Sequence, residues 1–383
     1  MFCRVPYNGM LIQPDGRLSM CCAQTAMYDY GHISTTPDLK KAWEEHPNAV
    51  KIREVDFDLT EFACGRCVKE SKFLVNRWVQ INEKSNYVNI PIDGKIRFLE
   101  FTTSNICNQT CASCSSFFSS KWRTLEQEAL ELNLPLDEWK NGDGFNSFGK
   151  ENYRLSDSDI EKIFPLLPDL HTIYVKGGEP FADNNNYEVL KELIKVNPTC
   201  NIQISSNMSK VPEKYLSLLS GKRVAISCSM DGINETYEYT RSTKFENTIE
   251  NIKRWKAAKI DGRLDISITM SLYNMYNINE TLDYWKNNMI DEVTGVYPRR
   301  WIMQPFFISP TFVLTQEQID DYYNNYLNDH DSSLNKNLYS LKSAEVSKEY
   351  RQKQIKRFHA YTKFMNYKRG INIYDIHPKL RDI

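Results

Sequence analysis

Three cysteines lie close together in the stretch Asn105-Ile106-Cys107-Asn108-Gln109-Thr110-Cys111-Ala112-Ser113-Cys114. Their spacing is C-x3-C-x2-C. Three thiolates at these offsets can each bind one iron of a [4Fe–4S] cluster and leave the fourth iron open for another ligand. A structural zinc site is an alternative, but zinc takes four ligands, and the nearest fourth candidate is His171 or a distant cysteine. Buried thiols without a metal are a third alternative, and the spacing favours the cluster.

The composition indicates a globular protein with reduced thiols. The 383 residues are enough to bury a large core, and the net charge of −1 gives no general attraction to nucleic acid or membrane. No apolar run reaches the roughly 18 residues of a membrane-spanning helix, and the N-terminus lacks a signal-peptide pattern. We therefore expect a cytoplasmic protein with reduced cysteines that serve metal binding rather than disulfides, apart from the isolated Cys200 and Cys228, which we expect in the core. We expect no nucleic-acid or membrane partner.

Strand-like and helix-like segments alternate from residue 95 onward. Strand patterns cover 95–102, 170–175, 201–206, 223–229, 264–270 and 300–304. Helical patterns cover 157–167, 186–196, 212–219, 245–259 and 278–288. This alternation indicates an α/β fold of βαβ units with a parallel sheet, and six units favour a partial (βα)6, TIM-like barrel over a closed eight-fold one. The cysteine stretch follows the first strand, so we expect it at the carboxyl end of the strands, where such barrels have their active sites.

We predict three parts along the chain. A small cysteine-rich module occupies 1–90, and the partial barrel occupies 91–310. An insertion at 118–155 follows the cysteines, and it is either a lid over the substrate or a neutral surface segment. A helical C-terminal extension occupies 311–383.

The cysteine stretch, placed after the first strand of a six-fold barrel, resembles the radical S-adenosylmethionine (radical SAM) superfamily. The resemblance implies that Cys107, Cys111 and Cys114 are the catalytic residues that bind the cluster. The open iron would bind the amino and carboxylate groups of S-adenosylmethionine. Electron transfer would then give methionine and a 5′-deoxyadenosyl radical, with the electron supplied by an external flavodoxin- or ferredoxin-like protein.

The stretch Gly177-Gly178-Glu179-Pro180 follows the second predicted strand. It resembles the family motif that binds the amino group of S-adenosylmethionine. Glycines allow the backbone to approach a ligand closely, and Glu179 adds negative charge. The resemblance implies cofactor binding by Gly177, Gly178, Glu179 and Pro180. It implies the same for polar residues at the ends of the third and fourth strands, Ser205, Asn207 and Ser229, and more weakly for Asp231 and Arg241. Each of these polar residues could instead cap a helix or stabilise a turn.

Four further thiols are spaced through the N-terminal region: Cys3, Cys21, Cys64 and Cys67. The pattern resembles the start of a SPASM or twitch domain, which binds auxiliary iron–sulfur clusters and usually follows the barrel rather than preceding it. The resemblance implies an auxiliary [4Fe–4S] cluster, with Cys21 preferred over the adjacent Cys22 by its offset from Gly16. On spacing alone, a structural zinc site fits these thiols equally well.

The end of the chain carries a weaker similarity to twitch-type members. Residues 366–370 and 377–380 resemble the closing segment of those proteins, and we expect them to pack rather than to take part in chemistry. One position departs from the family pattern, because Ser113 stands where many members have an aromatic residue against the adenine. Phe117 or Phe118 is then the candidate for that contact.

Together these patterns predict a radical SAM enzyme that abstracts a hydrogen atom from its substrate. A peptide or protein is the leading substrate class, by analogy with family members that carry auxiliary modules. A small metabolite, such as a sugar or nucleoside, is the alternative within the enzyme class. A non-catalytic zinc or iron–sulfur binding protein is the alternative of another class, and it would need neither Gly-Gly-Glu-Pro nor an open iron.

Overall fold

The computed structural model describes residues 5–21, 29–54, 92–132, 153–289, 291–327 and 337–383. The chain divides into two compact units. The first contains residues 1–106 and 153–204, and the second contains 107–152 and 205–383. Each unit has parallel strands and a buried apolar core.

The first unit is built on five strands: β1 (Gly9–Ile12), β2 (Leu18–Ser19), β3 (Phe98–Thr102), β4 (Thr172–Lys176) and β5 (Asn201–Ser206). The last two residues of β5 are assigned to the second unit. Parallel pairing joins β1 to β3, β3 to β4 and β4 to β5, whereas β2 is antiparallel to β1. Every residue of β1 and β3 is buried, as is typical of strands covered on both faces.

Strands β1 and β2 were not predicted, and they bring part of the N-terminal region into the first unit's sheet. A tight turn joins them, in which the Gln13 N–H donates to the carbonyl oxygen of Arg17 at 2.8 Å. Gly16 in this turn has a φ of 82°, a left-handed value that favours glycine. The indole Nε1 of Trp43 donates to the carbonyl oxygen of Gly9 at 2.8 Å, and this bond joins the helix Leu39–Glu45 to β1.

Helices and short 3₁₀ turns complete the first unit. The α-helices are Val5–Asn8, Leu39–Glu45, Pro47–Glu54, Asp157–Glu161 and Asn184–Val196, and the 3₁₀ segments are Phe164–Asp169 and Pro180–Ala182. The longest helix begins after Asp183, whose side chain accepts from the N–H of Asn185 as an N-cap. It contributes Val189, Leu190 and Leu193 to the core.

The second unit contains three parallel strands, β6 (Arg223–Ser229), β7 (Asp261–Met270) and β8 (Gly295–Trp301). Buried and half-buried positions alternate along β6 and most of β7, because successive side chains of a strand point to opposite faces.

Helices form the rest of the second unit. The α-helices are Trp122–Glu131, Glu213–Leu219, Asn234–Arg241, Phe245–Ala257, Ile278–Asn288, Pro310–Val313, Gln316–Tyr326, Lys348–Arg369 and Ile373–Ile376, and the 3₁₀ segments are Met275–Asn277, Phe306–Ile308, Leu338–Ser340 and Pro378–Asp382. We call Lys348–Arg369 the long C-terminal helix. It begins with a Ser347 cap, ends at the left-handed Gly370, and buries Phe358 and Phe364.

The predicted α/β class and the helical C-terminal tail are confirmed. Strands β5 and β6 have the predicted bounds, whereas β8 begins at Gly295 rather than at residue 300. The first half of β8 was missed because its burial does not alternate, so it lacks the two-residue hydrophobic period. The predicted boundaries at 90 and 310 stay predictions. No helix in the described part of the chain is long and apolar enough to cross a membrane.

We predict that His377 makes the protein less stable in mild acid. Its side chain is 6% exposed and its Nε2 lies 3.0 Å from the Thr236 hydroxyl. Burial lowers the pKa of His377 from its usual 6.5 to about 4. The unfolded chain therefore binds more protons between these values, and stability is lost as pH falls through this window. At pH 4.5 the loss should be about 2–3 kcal/mol.

The measurement is urea unfolding of the wild type and His377→Gln at pH 7, 6, 5 and 4.5. The free energy of unfolding of the variant should fall less steeply than that of the wild type below pH 6.5. Parallel pH profiles for the two proteins would contradict the prediction.

Candidate active site

The cysteine loop, residues 107–121, belongs to the second unit and precedes the helix Trp122–Glu131. It consists of turns and irregular backbone rather than helix or strand. The Cys114 N–H donates to the carbonyl oxygen of Cys111 at 3.0 Å, which brings these two residues onto one turn. Cys111 is buried, and Cys107 and Cys114 are half-buried. One short segment therefore presents all three predicted thiols.

The backbone of this loop is held by residues that lie outside it. The Trp122 indole donates to the carbonyl oxygen of Cys111 at 3.0 Å, and the Tyr361 hydroxyl donates to that of Ala112 at 2.7 Å. The Ala112 N–H donates to the carbonyl oxygen of Thr240 at 2.8 Å. The rings of Trp122 and Tyr361 stack with centroids 6.4 Å apart. These contacts within the second unit, rather than local secondary structure, set the path of the loop.

The three thiols are close enough to influence one another's ionisation. Burial raises the pKa of Cys114 well above its ordinary value, and Cys111 and Cys107 raise it further. Buried thiolates next to one another need compensating cations, which the irons of a cluster supply. The donor set therefore fits a [4Fe–4S] cluster. In the described ranges no three His, Cys, Asp or Glu side chains are placed to hold a single metal ion, whereas each cysteine of a cluster binds a different iron.

Two nitrogen donors approach the sulfur atoms. Arg241 Nη1 lies 3.6 Å from the Cys111 Sγ, and Asn207 Nδ2 lies 4.0 Å from the Cys107 Sγ. Asn207 also donates to Asn108 Oδ1 at 2.9 Å. The structure thus brings Asn207, predicted from sequence to bind the cofactor, next to a cluster cysteine. Hydrogen-bond donors near thiolate sulfur are among the features that set the reduction potential of an iron–sulfur cluster.

Arg241 is oriented by a nearly buried carboxylate. Its Nη2 lies 2.7 Å from Asp231 Oδ2, and the two side chains are 12% and 6% exposed. The Thr269 N–H donates to Asp231 Oδ1 at 2.8 Å. Ionic and hydrogen-bonding contacts therefore fix the guanidinium against the sulfur.

Ser205 and Ser229 lie at the carboxyl ends of their strands, as predicted. Ser205 is the penultimate residue of β5, and Ser229 is the last residue of β6 and pairs in register with Ser267 of β7. Both are half-buried. Their roles as ligands of S-adenosylmethionine stay predictions.

The Gly-Gly-Glu-Pro motif belongs to the first unit and follows β4 directly. Its backbone packs against residues 104–106, since the Gly178 N–H donates to Ser104 O at 3.2 Å and the Glu179 N–H to Ile106 O at 2.8 Å. A Cβ on Gly178 would lie 2.1 Å from the Ile106 carbonyl oxygen, so no larger residue fits there. Gly177 has a φ of 138°. Sterics within the first unit therefore require both glycines.

The carboxylate of Glu179 is turned toward its own segment. It is 2% exposed, and its Oε1 accepts from the Phe181 N–H at 3.1 Å, which caps the 3₁₀ turn Pro180–Ala182. The motif is thus a rigid turn with an acidic side chain buried inside it.

A polar network that the sequence pattern does not predict follows the motif. The Thr103 hydroxyl, one residue after β3, donates to Asp183 Oδ2 at 2.8 Å, and Arg154 Nε lies 3.2 Å from Asp183 Oδ1. The Asn186 amide donates to the carbonyl oxygen of Pro180 at 3.0 Å. Asp183 could have been recognised as a helix N-cap. Its contact with Thr103, 80 residues away, leaves no local signal.

Of the predicted N-terminal ligands, Cys21 lies within the described residues. It is half-buried and follows β2 by two residues. Cys3, Cys64 and Cys67, together with Cys22, lie outside the described residues. The ligand set of the auxiliary site stays a prediction.

Comparison with protein families identifies two domains. The Radical SAM superfamily matches residues 101–284, and an iron-sulfur cluster-binding domain, SPASM, matches residues 3–68. No curated protein matches the chain. The SPASM match precedes the radical SAM match along the chain, as predicted.

Several solved structures are similar to parts of the chain. Native anSMEcpe with bound AdoMet and Cp18Cys peptide has 16% identity and a TM-score of 0.40, with 60% of this chain and 58% of that chain covered. SuiB of Streptococcus suis bound to the precursor peptide SuiA has 12% identity and a TM-score of 0.33, with 74% of this chain and 51% of that chain covered. This chain spans less than two thirds of the length of either protein.

We predict that Gly178→Ala weakens binding of S-adenosylmethionine by about tenfold or more, since the added methyl group displaces the turn from Ile106. Equilibrium dialysis with the cluster-loaded protein measures the dissociation constant. The control is Gly221→Ala, where an added Cβ meets nothing within 4 Å, so that variant has only the backbone strain of its positive φ of 65°. Equal losses in both variants would show that the position of Gly178 has no special role.

Proposed function

We propose that this enzyme cleaves S-adenosylmethionine reductively at a [4Fe–4S] cluster bound by Cys107, Cys111 and Cys114, and that the reaction abstracts a hydrogen atom from a peptide or protein. The observation that carries the proposal is the cysteine loop: three neighbouring thiols on one loop, two of them approached by nitrogen donors, inside a radical SAM domain.

When bound, the cluster supplies the electron that splits the sulfonium of S-adenosylmethionine into methionine and a 5′-deoxyadenosyl radical. The protein's residues bind and orient the reactants. The loop fixes the thiols through its backbone hydrogen bonds. Gly177 and Gly178 let the turn after β4 pack against residues 102–106, and the backbone carbonyls of this turn are the proposed acceptors for the ammonium group. Asn207, at the end of β5, orients groups near Cys107.

The substrate class is supported by the domain combination. An iron–sulfur cluster-binding domain accompanies the radical SAM domain, and radical SAM enzymes with such modules often modify peptides. A small metabolite is the alternative substrate class. We propose a flavodoxin- or ferredoxin-like protein as the electron donor and the cytoplasm as the compartment.

The test of the cofactor content is made on anaerobically purified and reconstituted protein. Iron and sulfide are quantified, and after dithionite reduction the conversion of S-adenosylmethionine to 5′-deoxyadenosine is assayed. We expect about eight irons per chain, consistent with two [4Fe–4S] clusters, and formation of 5′-deoxyadenosine. About four irons with turnover would remove the auxiliary cluster from the proposal, and zinc without iron or cleavage would refute it.

A pair of cysteine variants tests the assignment of the ligands. Cys107→Ala should abolish 5′-deoxyadenosine formation and leave the circular dichroism spectrum unchanged, because Cys107 is half-buried and lies on an irregular loop. Cys200→Ala, which changes a buried cysteine in the first unit, should keep both iron content and turnover. Turnover by Cys107→Ala, or unfolding of that variant alone, would contradict the assignment.

A further inference from the structure

Arg369, the last residue of the long C-terminal helix, makes all of its polar contacts with neutral groups. Its Nε donates to the Tyr239 carbonyl oxygen at 2.9 Å, and its Nη1 donates to the Thr110 hydroxyl at 3.0 Å. Its Nη2 donates to the carbonyl oxygen of Thr110. Within the described part of the chain, no carboxylate lies at ion-pair distance from this guanidinium. Arg369 therefore adds an uncompensated positive charge.

This charge lies beside the cysteine loop. Thr110 immediately precedes Cys111, and Arg369 binds both its backbone and its side chain. Burial lowers the pKa of Arg369, whereas Tyr361 and Cys111 oppose that shift. Arg369 is half-buried, and a partly enclosed cation without a counter-ion favours a negatively charged partner next to it.

Arg241 differs from Arg369 in this respect. It also approaches Cys111, but its charge is balanced by Asp231 at 2.7 Å. The neighbourhood of Cys111 therefore carries one balanced guanidinium and one unbalanced guanidinium. The negative charge of three thiolates exceeds the positive charge of an oxidised cluster core, so the thiolate-bound cluster is negative overall. One-electron reduction makes it more negative. A thiolate-bound cluster therefore has the negative charge that would balance Arg369.

We propose that Arg369 is the countercharge of the cluster bound by Cys107, Cys111 and Cys114, and that it makes one-electron reduction of that cluster more favourable. The proposal rests on the proposed function, since it requires a cluster at these cysteines. It assigns Arg369 a positioning and charge-compensating role, beyond the packing expected for residues 366–370. The long C-terminal helix thereby contributes to the electrostatics of the active site.

The test compares the midpoint potential of the cluster in three variants, by dithionite titration monitored by electron paramagnetic resonance. Arg369→Gln removes the charge, and Arg369→Lys keeps it. Arg351→Gln is the matched control, because Arg351 lies on the same helix and also donates to neutral acceptors, Ala344 O at 2.8 Å and Ser343 Oγ at 3.0 Å. It lies about 27 Å from Arg369 along the helix axis.

We expect Arg369→Gln to make reduction about tenfold less favourable, which is about 59 mV for a one-electron couple. Arg369→Lys and Arg351→Gln should stay within about twofold of the wild type. The proposal is overturned if Arg369→Gln also stays within twofold, if Arg351→Gln shifts equally, or if Arg369→Lys loses the full tenfold.

Iron content supplies a second readout. If Arg369→Gln folds but binds about four irons fewer than Arg369→Lys and Arg351→Gln, the charge requirement is supported at the stage of assembly of this cluster. If Arg369→Gln does not fold, the potential of Arg369→Lys decides between charge and hydrogen-bonding geometry. Failure of the wild type to bind iron would instead refute the proposed function. That measurement uses the wild type alone, so it is separate from the test of Arg369.

Discussion

Three thiols lie close together on the cysteine loop, and their ionised forms repel one another. Burial removes the water that would stabilise their charge, and the neighbouring thiols raise the pKa of Cys114 still further. A loop of this kind needs positive charge from its occupant and from its surroundings. The surroundings provide two guanidiniums near Cys111, and the occupant that fits is a cluster of irons.

Binding of a cluster by three thiols also explains why the loop is irregular and is nevertheless held by several hydrogen bonds. A helix would place the thiols at fixed angular steps, whereas a cluster needs them around its corners. The loop instead follows turns, and its backbone groups bond to Trp122, Thr240 and Tyr361. Two of these partners lie more than a hundred residues away in sequence. The helix Asn234–Arg241 and the long C-terminal helix are therefore part of the support of the site.

In the first unit the main constraint is the close approach of two backbone segments. Gly178 lies against the carbonyl of Ile106, and Glu179 bonds to the same residue. Thr103 and Asp183 join the segments that follow β3 and the motif. This explains why the motif contains two glycines and why polar residues follow it. The first unit also contains β1 from the N-terminal region, where the sequence predicts a separate module.

Features that depend on local spacing and periodicity could be predicted from the sequence. These are the cysteine triplet, Gly-Gly-Glu-Pro after a strand, the α/β alternation, and the bounds of β5 and β6. The contacts between distant groups could not be predicted and were found in the folded chain: β1 with β3, Thr103 with Asp183, Arg241 with Cys111, and Arg369 with Thr110. The physical reason is that the hydrophobic period and the ligand spacing depend on residues that are close together in the sequence. Hydrogen bonds and charge balance between remote segments arise only when the chain packs.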